Sequence, residues 1–215
     1  MINPPFFNSG YYHVYNRGVE KRNTFMNNWD YSRFMETLDF YRKSPQLQKL
    51  SDFRRRVLSL KKVENQKDLV KILAYCLIPN HFHLLVQQLV DGGVTDFMSN
   101  LANSYTRYFN TKHERIGALF QGAFKAKLVN NDEYLLQLSK YIHRNPDSLF
   151  QWKNKIYPYS SYHYYISSER NSICDPDFIL SYFSTANRGL TYKSFVEEIS
   201  FTDDAKIASL YIDEE

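Results

Sequence analysis

Two histidines one residue apart, His81 and His83, lie in the run His81-Phe82-His83-Leu84-Leu85-Val86-Gln87-Gln88, which reads as a β-strand. Side chains alternate faces along a strand, so both imidazoles point one way while Phe82, Leu84 and Val86 point the other. The apolar side has a core to join, and the histidine side is left able to hold one metal ion between two ring nitrogens. Read alone, such a pair serves structure or lies at the surface more often than it binds metal.

A second candidate group lies in the helix expected before Pro146. At about 100° per residue, Tyr134, Leu138, Tyr141 and Asn145 project within one narrow sector, with Leu135 and Ile142 beside it. Tyr141 and Asn145 are therefore neighbours one turn apart. A phenol can attack phosphorus, and an amide oxygen can complete a metal's coordination next to it. Spacing leaves the plainer reading open: Tyr141 as a core aromatic and Asn145 as a helix stop before proline.

These candidates must be positioned by the elements around them. Tyr11-Tyr12-His13-Val14-Tyr15 is rich in aromatic and β-branched residues and stops at Asn16-Arg17-Gly18, a first strand running into a turn. From Asp30 to about Lys43, Tyr31, Phe34, Met35, Leu38 and Tyr41 recur at helical steps, and Pro45 closes the stripe. Residues 46–66 are polar and basic, with only a weak helical pattern. Leu69 to Ile78 reads as a buried strand joined through Pro79-Asn80 to the histidine strand, forming a hairpin that leads into Asp91-Gly92-Gly93. Thr95 is the expected cap of a helix to about His113, with Phe97, Leu101, Tyr105, Tyr108 and Phe109 on one stripe. Ala123 to Val129 alternates as a strand, and Asn131, Asp132 and Glu133 open the helix that Pro146 ends. The order β, α, β, β, α, β, α predicts an α+β fold, a ferredoxin-like antiparallel sheet with packed helices. An aromatic-rich C-terminal extension follows.

Composition narrows the classes. The 215 residues, 43% hydrophobic and 17% aromatic, are enough to bury a core. No stretch approaches the roughly 18 consecutive apolar residues of a membrane span, and the opening Met1-Ile2-Asn3-Pro4-Pro5 lacks the pattern of a signal peptide, so the expected address is cytoplasmic, away from membranes. Cys76 and Cys174 fit neither a disulfide framework nor a four-ligand zinc site and read as buried thiols. The net charge of +4 is only a mild basic excess. Its distribution is uneven: Arg54, Arg55, Arg56, Lys61 and Lys62 cluster, Arg107, Lys112, Arg115, Lys125 and Lys127 form a second group, and Asp203, Asp204, Asp213, Glu214 and Glu215 lie at the end.

The segment Tyr75-Cys76-Leu77-Ile78-Pro79-Asn80-His81-Phe82-His83-Leu84-Leu85 resembles the HUH motif of single-tyrosine transposases, and Tyr141-Ile142-His143-Arg144-Asn145-Pro146 resembles their nucleophile segment. Tyr12-His13-Val14-Tyr15-Asn16-Arg17-Gly18 and Leu119-Phe120-Gln121-Gly122, followed by Phe124-Lys125, resemble the REP-associated branch of these IS200-like proteins. The ordered set spans roughly residues 10 to 147 and is far more specific than any one motif. It implies an HUH endonuclease fold over 1–148, with 46–66 as a basic insertion and 149–215 as an extension longer than the compact members carry.

The resemblance also implies the chemistry: Tyr141 attacks a backbone phosphate of single-stranded DNA beside a hairpin, leaving a 5′-phosphotyrosine link and a 3′-hydroxyl that can reverse the reaction. His81, His83 and Asn145 would hold a divalent metal ion. Imidazoles suit manganese, zinc or nickel better than magnesium, whereas the family uses magnesium or manganese, so Mn2+ or Mg2+ is expected and Mn2+ satisfies both arguments. DNA contacts are expected from Arg17, Arg54, Arg55, Arg56, Arg107, Lys125, Lys127 and Arg144, and His143 is expected as a DNA contact or a surface residue. Tyr157, Tyr159, Tyr162, Tyr164 and Tyr165 could stack on bases, although core packing is the commoner use of such residues. A monomer or a homodimer suits the family. The competing readings are a non-cutting, domesticated nucleic-acid-binding protein of the same fold and a rolling-circle replication initiator. A hydrolase without a covalent step would need a general base, for which only His113 or His143 offers itself.

Overall fold

The computed structural model describes residues 3–43, 50, 67–152, 155–167, 169–184 and 191–198. Leu50 apart, the expected weak helix of 46–66, with Arg54, Arg55, Arg56, Lys61 and Lys62, lies outside them, as do the acidic residues from Asp203 to Glu215.

Four strands form one antiparallel sheet: β1 (Tyr11–Arg17), β2 (Val70–Ile78), β3 (His81–Gln88) and β4 (Lys125–Val129), in spatial order β2-β3-β1-β4. With α1 (Asn28–Tyr41), α2 (Gly93–Lys112) and α3 (Asp132–Arg144) between and after them, the chain runs β, α, β, β, α, β, α, the expected ferredoxin-like α+β order. The β2–β3 hairpin turns at Pro79-Asn80 as read. Paired residues of neighbouring strands share a face, and the register sets Tyr15 opposite His83, Arg17 opposite His81, and Lys127 opposite His13.

One face carries Val14, Phe82, Leu84 and Val86, all buried, and is covered by the antiparallel pair α1 and α2. Phe34 of α1 is the hinge of this core, with its ring 5.1 Å from Phe82 and edge-on to Tyr105 at 5.0 Å. The pair is tied at its end by Asp30, fully buried, which receives Lys112 at 2.7 Å and His113 at 3.2 Å. Burial by itself would raise the Asp30 carboxyl. Hydrogen bonds from Lys112, the Met26 N–H, His113 and Tyr108 outweigh burial and hold it below the usual range.

Helix α2 starts two residues before the expected Thr95 cap. Gly92, in the left-handed region at φ 71°, precedes its first turn, and the Gln88 side chain at the end of β3 accepts from the Val94 N–H at 3.1 Å. A glycine turn and a side chain from the preceding strand thus do what a threonine hydroxyl was expected to do. Helix α3 starts as read, with the Asn131 side chain accepting from the Tyr134 N–H at 2.7 Å. It passes at Asn145 into a single 3-10 turn, Asn145–Ser148, that contains Pro146.

The described part of the extension contains three short helices, α4 (Tyr162–Ile166), α5 (Asp177–Ser184) and α6 (Tyr192–Glu197). It lies along the outer edge of β2. The Leu77 N–H donates to the Tyr159 carbonyl, Tyr75 exchanges bonds with Ser161, and a bulge between Ile72 and Ala74 turns out the Leu73 carbonyl, which accepts from the Tyr165 hydroxyl and Cys174 Sγ. A sheet edge that would otherwise present unpaired backbone groups is thereby closed. Tyr157 and Tyr165 are buried in this packing, and Tyr159 stacks on Tyr31 with ring centroids 3.6 Å apart, so these three are packing residues. Both cysteines are buried and free. Among the described residues, no helix is long and apolar enough to cross a membrane.

Candidate active site

Helix α3 crosses the sheet face opposite α1 and α2, the face that carries His81 and His83. Its apolar stripe, Leu135, Leu138 and Ile142, is buried, which rolls Tyr141 toward the histidines. The Tyr141 ring stands edge-on to His83, centroids 5.4 Å apart at 81°, and edge-on to His13 at 6.1 Å. One turn on, Asn145 reaches the start of β3, where its amide lies beside His81 and interacts with it. The four residues singled out in two distant segments therefore meet in one place.

The polar groups here are almost sealed from water. His81, His83, Tyr141 and Asn145 are 5%, 1%, 5% and 7% exposed. Burial takes His81 down to about 3, with help from the Arg17 charge, while the nearby Asn145 amide acts weakly in the other direction. His83 is held well below its ordinary value by burial first, then by His81, His13 and Arg17. Both imidazoles are thus neutral, the form that carries a lone pair for a cation.

Asn80 fixes which nitrogen of His81 carries it. Asn80 Nδ2 donates to the Lys21 carbonyl, so its Oδ1 is the atom 2.7 Å from His81 Nδ1, which must donate; the lone pair lies on Nε2. Around these groups, His83 Nε2 and Asn145 Oδ1 are buried with no hydrogen-bond partner. Buried acceptors without donors are costly, and the set fits a cation. Among the described residues no three His, Cys, Asp or Glu side chains converge as a metal site, so the set available is two imidazoles and one amide oxygen.

The cationic candidates separate. Arg17 lies across from His81, and Lys125 and Lys127 project from β4 on the same face, all partly exposed. Arg107 is on the other side of the sheet, exposed on α2, where it lines a groove with Arg33, Tyr108 and Lys112. Arg144 pairs with Asp147 at 3.3 Å at the end of α3. Arg54, Arg55 and Arg56 lie outside the described residues.

The expectation for His143 as an exposed residue is corrected: it is buried, with both ring nitrogens taken up by partners within the protein. Only 5% exposed, it lies under the extension, with Nδ1 2.7 Å from the Tyr192 hydroxyl and Nε2 2.7 Å from Ser161 Oγ. His113, bound to Asp30 on the opposite side of the sheet, is no general base for this site. His13, assigned no role from the sequence, is wholly buried with Nε2 2.9 Å from His83 Nδ1. Alternation put His13 on some face of β1, but only strand pairing could say that it meets His83.

Comparison with known proteins agrees with this architecture. The family model for IS200-like transposases matches residues 7–145. A solved structure of a REP-associated tyrosine transposase bound to a REP hairpin superposes with a TM-score of 0.51 at 13% identity, covering 81% of this chain and 96% of that one. A second, a transposase-like protein from Deinococcus radiodurans R1, gives a TM-score of 0.38 at 12% identity over 66% of this chain and 95% of that one. No curated protein matches.

Proposed function

Because the chain belongs to the IS200-like transposase family, whose members cut and rejoin DNA, we propose that it is a divalent-metal-dependent, tyrosine-nucleophile enzyme acting on single-stranded DNA. The observation that carries the reading is the meeting of Tyr141 with His83 at 5.4 Å, beside His81 and Asn145, across two segments distant in sequence. A buried aromatic needs no such company, and neither does a module that only binds nucleic acid.

The Tyr141 hydroxyl attacks phosphorus. A bond forms between its Oη and the phosphorus, the bond from phosphorus to the 3′-oxygen breaks, the phenol proton passes to solvent, and the departing 3′-oxygen takes one up. The reverse attack by the 3′-hydroxyl rejoins the strand, with the energy of the bond kept in the 5′-phosphotyrosine. His81 Nε2, His83 Nε2 and Asn145 Oδ1 would hold Mn2+ or Mg2+, which when bound polarises the scissile phosphate and favours the phenolate. Arg17, close enough for its charge to act on both histidines, neutralises a phosphate entering the site. Lys125 and Lys127 extend the positive face along β4. The backbone of a stacked duplex cannot enter so closed a site, which favours an unpaired strand, and the relative solved with a REP hairpin supports a hairpin beside the cleavage point.

The test is incubation of the protein and its Tyr141→Phe variant with Mn2+ and labelled hairpin single strands from the flanks of its own gene. A covalent adduct on a denaturing gel, made by the wild type alone, is the expected result. Binding without adduct across several flanking sequences would replace this reading with that of a non-cutting binding protein.

A further inference from the structure

The mechanism leaves unused a buried histidine that touches the site. His13 stands in the middle of β1, wholly buried, one strand from the proposed metal ligands. A residue there for packing alone would be apolar, since an imbedded imidazole must give up its water. Its ring packs beside Tyr15 and Tyr141, but its hydrogen bond goes to His83: the two imidazoles lie 5.1 Å apart, tilted by 26°, and His13 Nε2 is 2.9 Å from His83 Nδ1. Its other nitrogen, Nδ1, is buried with no hydrogen-bond partner.

Between two neutral imidazoles that hydrogen bond has two directions. If His13 Nε2 donates, His83 carries its own proton on Nε2 and presents a hydrogen where a ligand must present a lone pair. If His83 Nδ1 donates, His13 Nε2 accepts, and His83 Nε2 is left as a lone pair. We infer that His13 is a positioning residue that accepts the Nδ1 proton of His83 and so holds His83 Nε2 ready for the divalent cation, an inference that rests on the metal site proposed above. The second direction gives His83 the same arrangement that Asn80 Oδ1 imposes on His81, where Nδ1 donates and Nε2 keeps the lone pair. It also makes Nε2 of both histidines and Oδ1 of Asn145 acceptors only, the set a cation requires. Partners of this kind fix the ring and the tautomer of metal-binding histidines.

Two measurements on the full chain test this. Titration with Mn2+ alone, free metal being followed by electron paramagnetic resonance, compares the wild type with His13→Phe, which keeps a ring but cannot accept, and His13→Gln, whose Oε1 can. The expected result is a loss of affinity of about 10- to 100-fold in His13→Phe, recovered largely in His13→Gln, with the metal-free melting temperature of His13→Phe no lower than wild type. Wild-type affinity in His13→Phe, or a His13→Gln as weak as His13→Phe, would overturn the inference. Long-range nitrogen-15 spectra of the wild-type histidines read the tautomer without relying on any variant's folding. A His83 protonated on Nε2 would overturn the inference by itself. A wild type that binds no Mn2+ while His83 is protonated on Nδ1 would instead sink the metal reading and leave the His13 hydrogen bond standing.

Discussion

Nδ1 of His143 lies 2.7 Å from the hydroxyl of Tyr192, which joins the helix carrying Tyr141 and Asn145 to the last described helix of the chain. The bond belongs to a directed series. Ser139 Oγ donates to the Leu136 carbonyl, so it accepts from the Tyr192 hydroxyl, which accepts from His143 Nδ1; His143 Nε2 then accepts from Ser161. Tyr192→Phe should leave His143 Nδ1 and Ser139 without this partner and cost about 1–3 kcal/mol of stability. Denaturant unfolding measures it, and an unchanged midpoint would show that α3 is held without the extension. If the bond also orients α3, adduct formation should fall in Tyr192→Phe under conditions where the fold is intact.

Gly18 follows β1 and hydrogen-bonds the Asn80 carbonyl just before His81. A Cβ there would meet the Arg22 carbonyl oxygen at 2.2 Å, and that atom belongs to backbone that cannot swing aside. Gly18→Ala is therefore expected to destabilise by about 1–3 kcal/mol and to shift the entry to β3. Circular-dichroism melting gives the first quantity, and Mn2+ affinity reads the second.

Asp30 makes stability depend on acid. Its carboxyl is held below the unfolded value of about 3.9, so its stabilising contribution is complete above that value and is lost as pH falls through the folded one. Asp30→Asn should lower stability at pH 7 by about 2–4 kcal/mol, because Lys112 loses its charge complement and His113 its carboxylate partner. It should also flatten the decline below about pH 4. Equal acid slopes for variant and wild type, in chemical unfolding from pH 7 to pH 3, would sink the assignment.

The positive face makes a prediction about salt. Lys125→Ala and Lys127→Ala should each weaken single-strand binding and reduce the slope of log affinity against log salt by about 0.7. Arg107→Ala, on the other side of the sheet, should leave the slope as it is. Fluorescence anisotropy at several salt concentrations separates the two, and a larger effect for Arg107 would move the DNA path to the helical face.

Local periodicity determined a good part of this protein. Alternation along His81-Phe82-His83 is a property of any extended backbone, as the shared sector of Tyr141 and Asn145 is of any helix, so both pairs were legible before any contact was known. The hairpin at Pro79-Asn80 and the cap at Asn131 are likewise written in a few adjacent residues. The order of strands and helices followed from these, and with it the fold class.

What tertiary structure alone decided are relations between residues far apart in sequence. His13 meets His83 because β1 pairs beside β3 in one particular register, and nothing in either segment states that partner. His143 looked exposed on a helical wheel that knew one buried stripe; the extension closes over a second face and buries it. Arg107 and Lys125 stood in one basic group along the sequence, yet they end on opposite sides of the sheet. The physical reason is common to all three. Periodicity is fixed by bonded geometry within a few residues, whereas which strand pairs with which, and which face is covered, depends on burying apolar surface gathered from the whole chain.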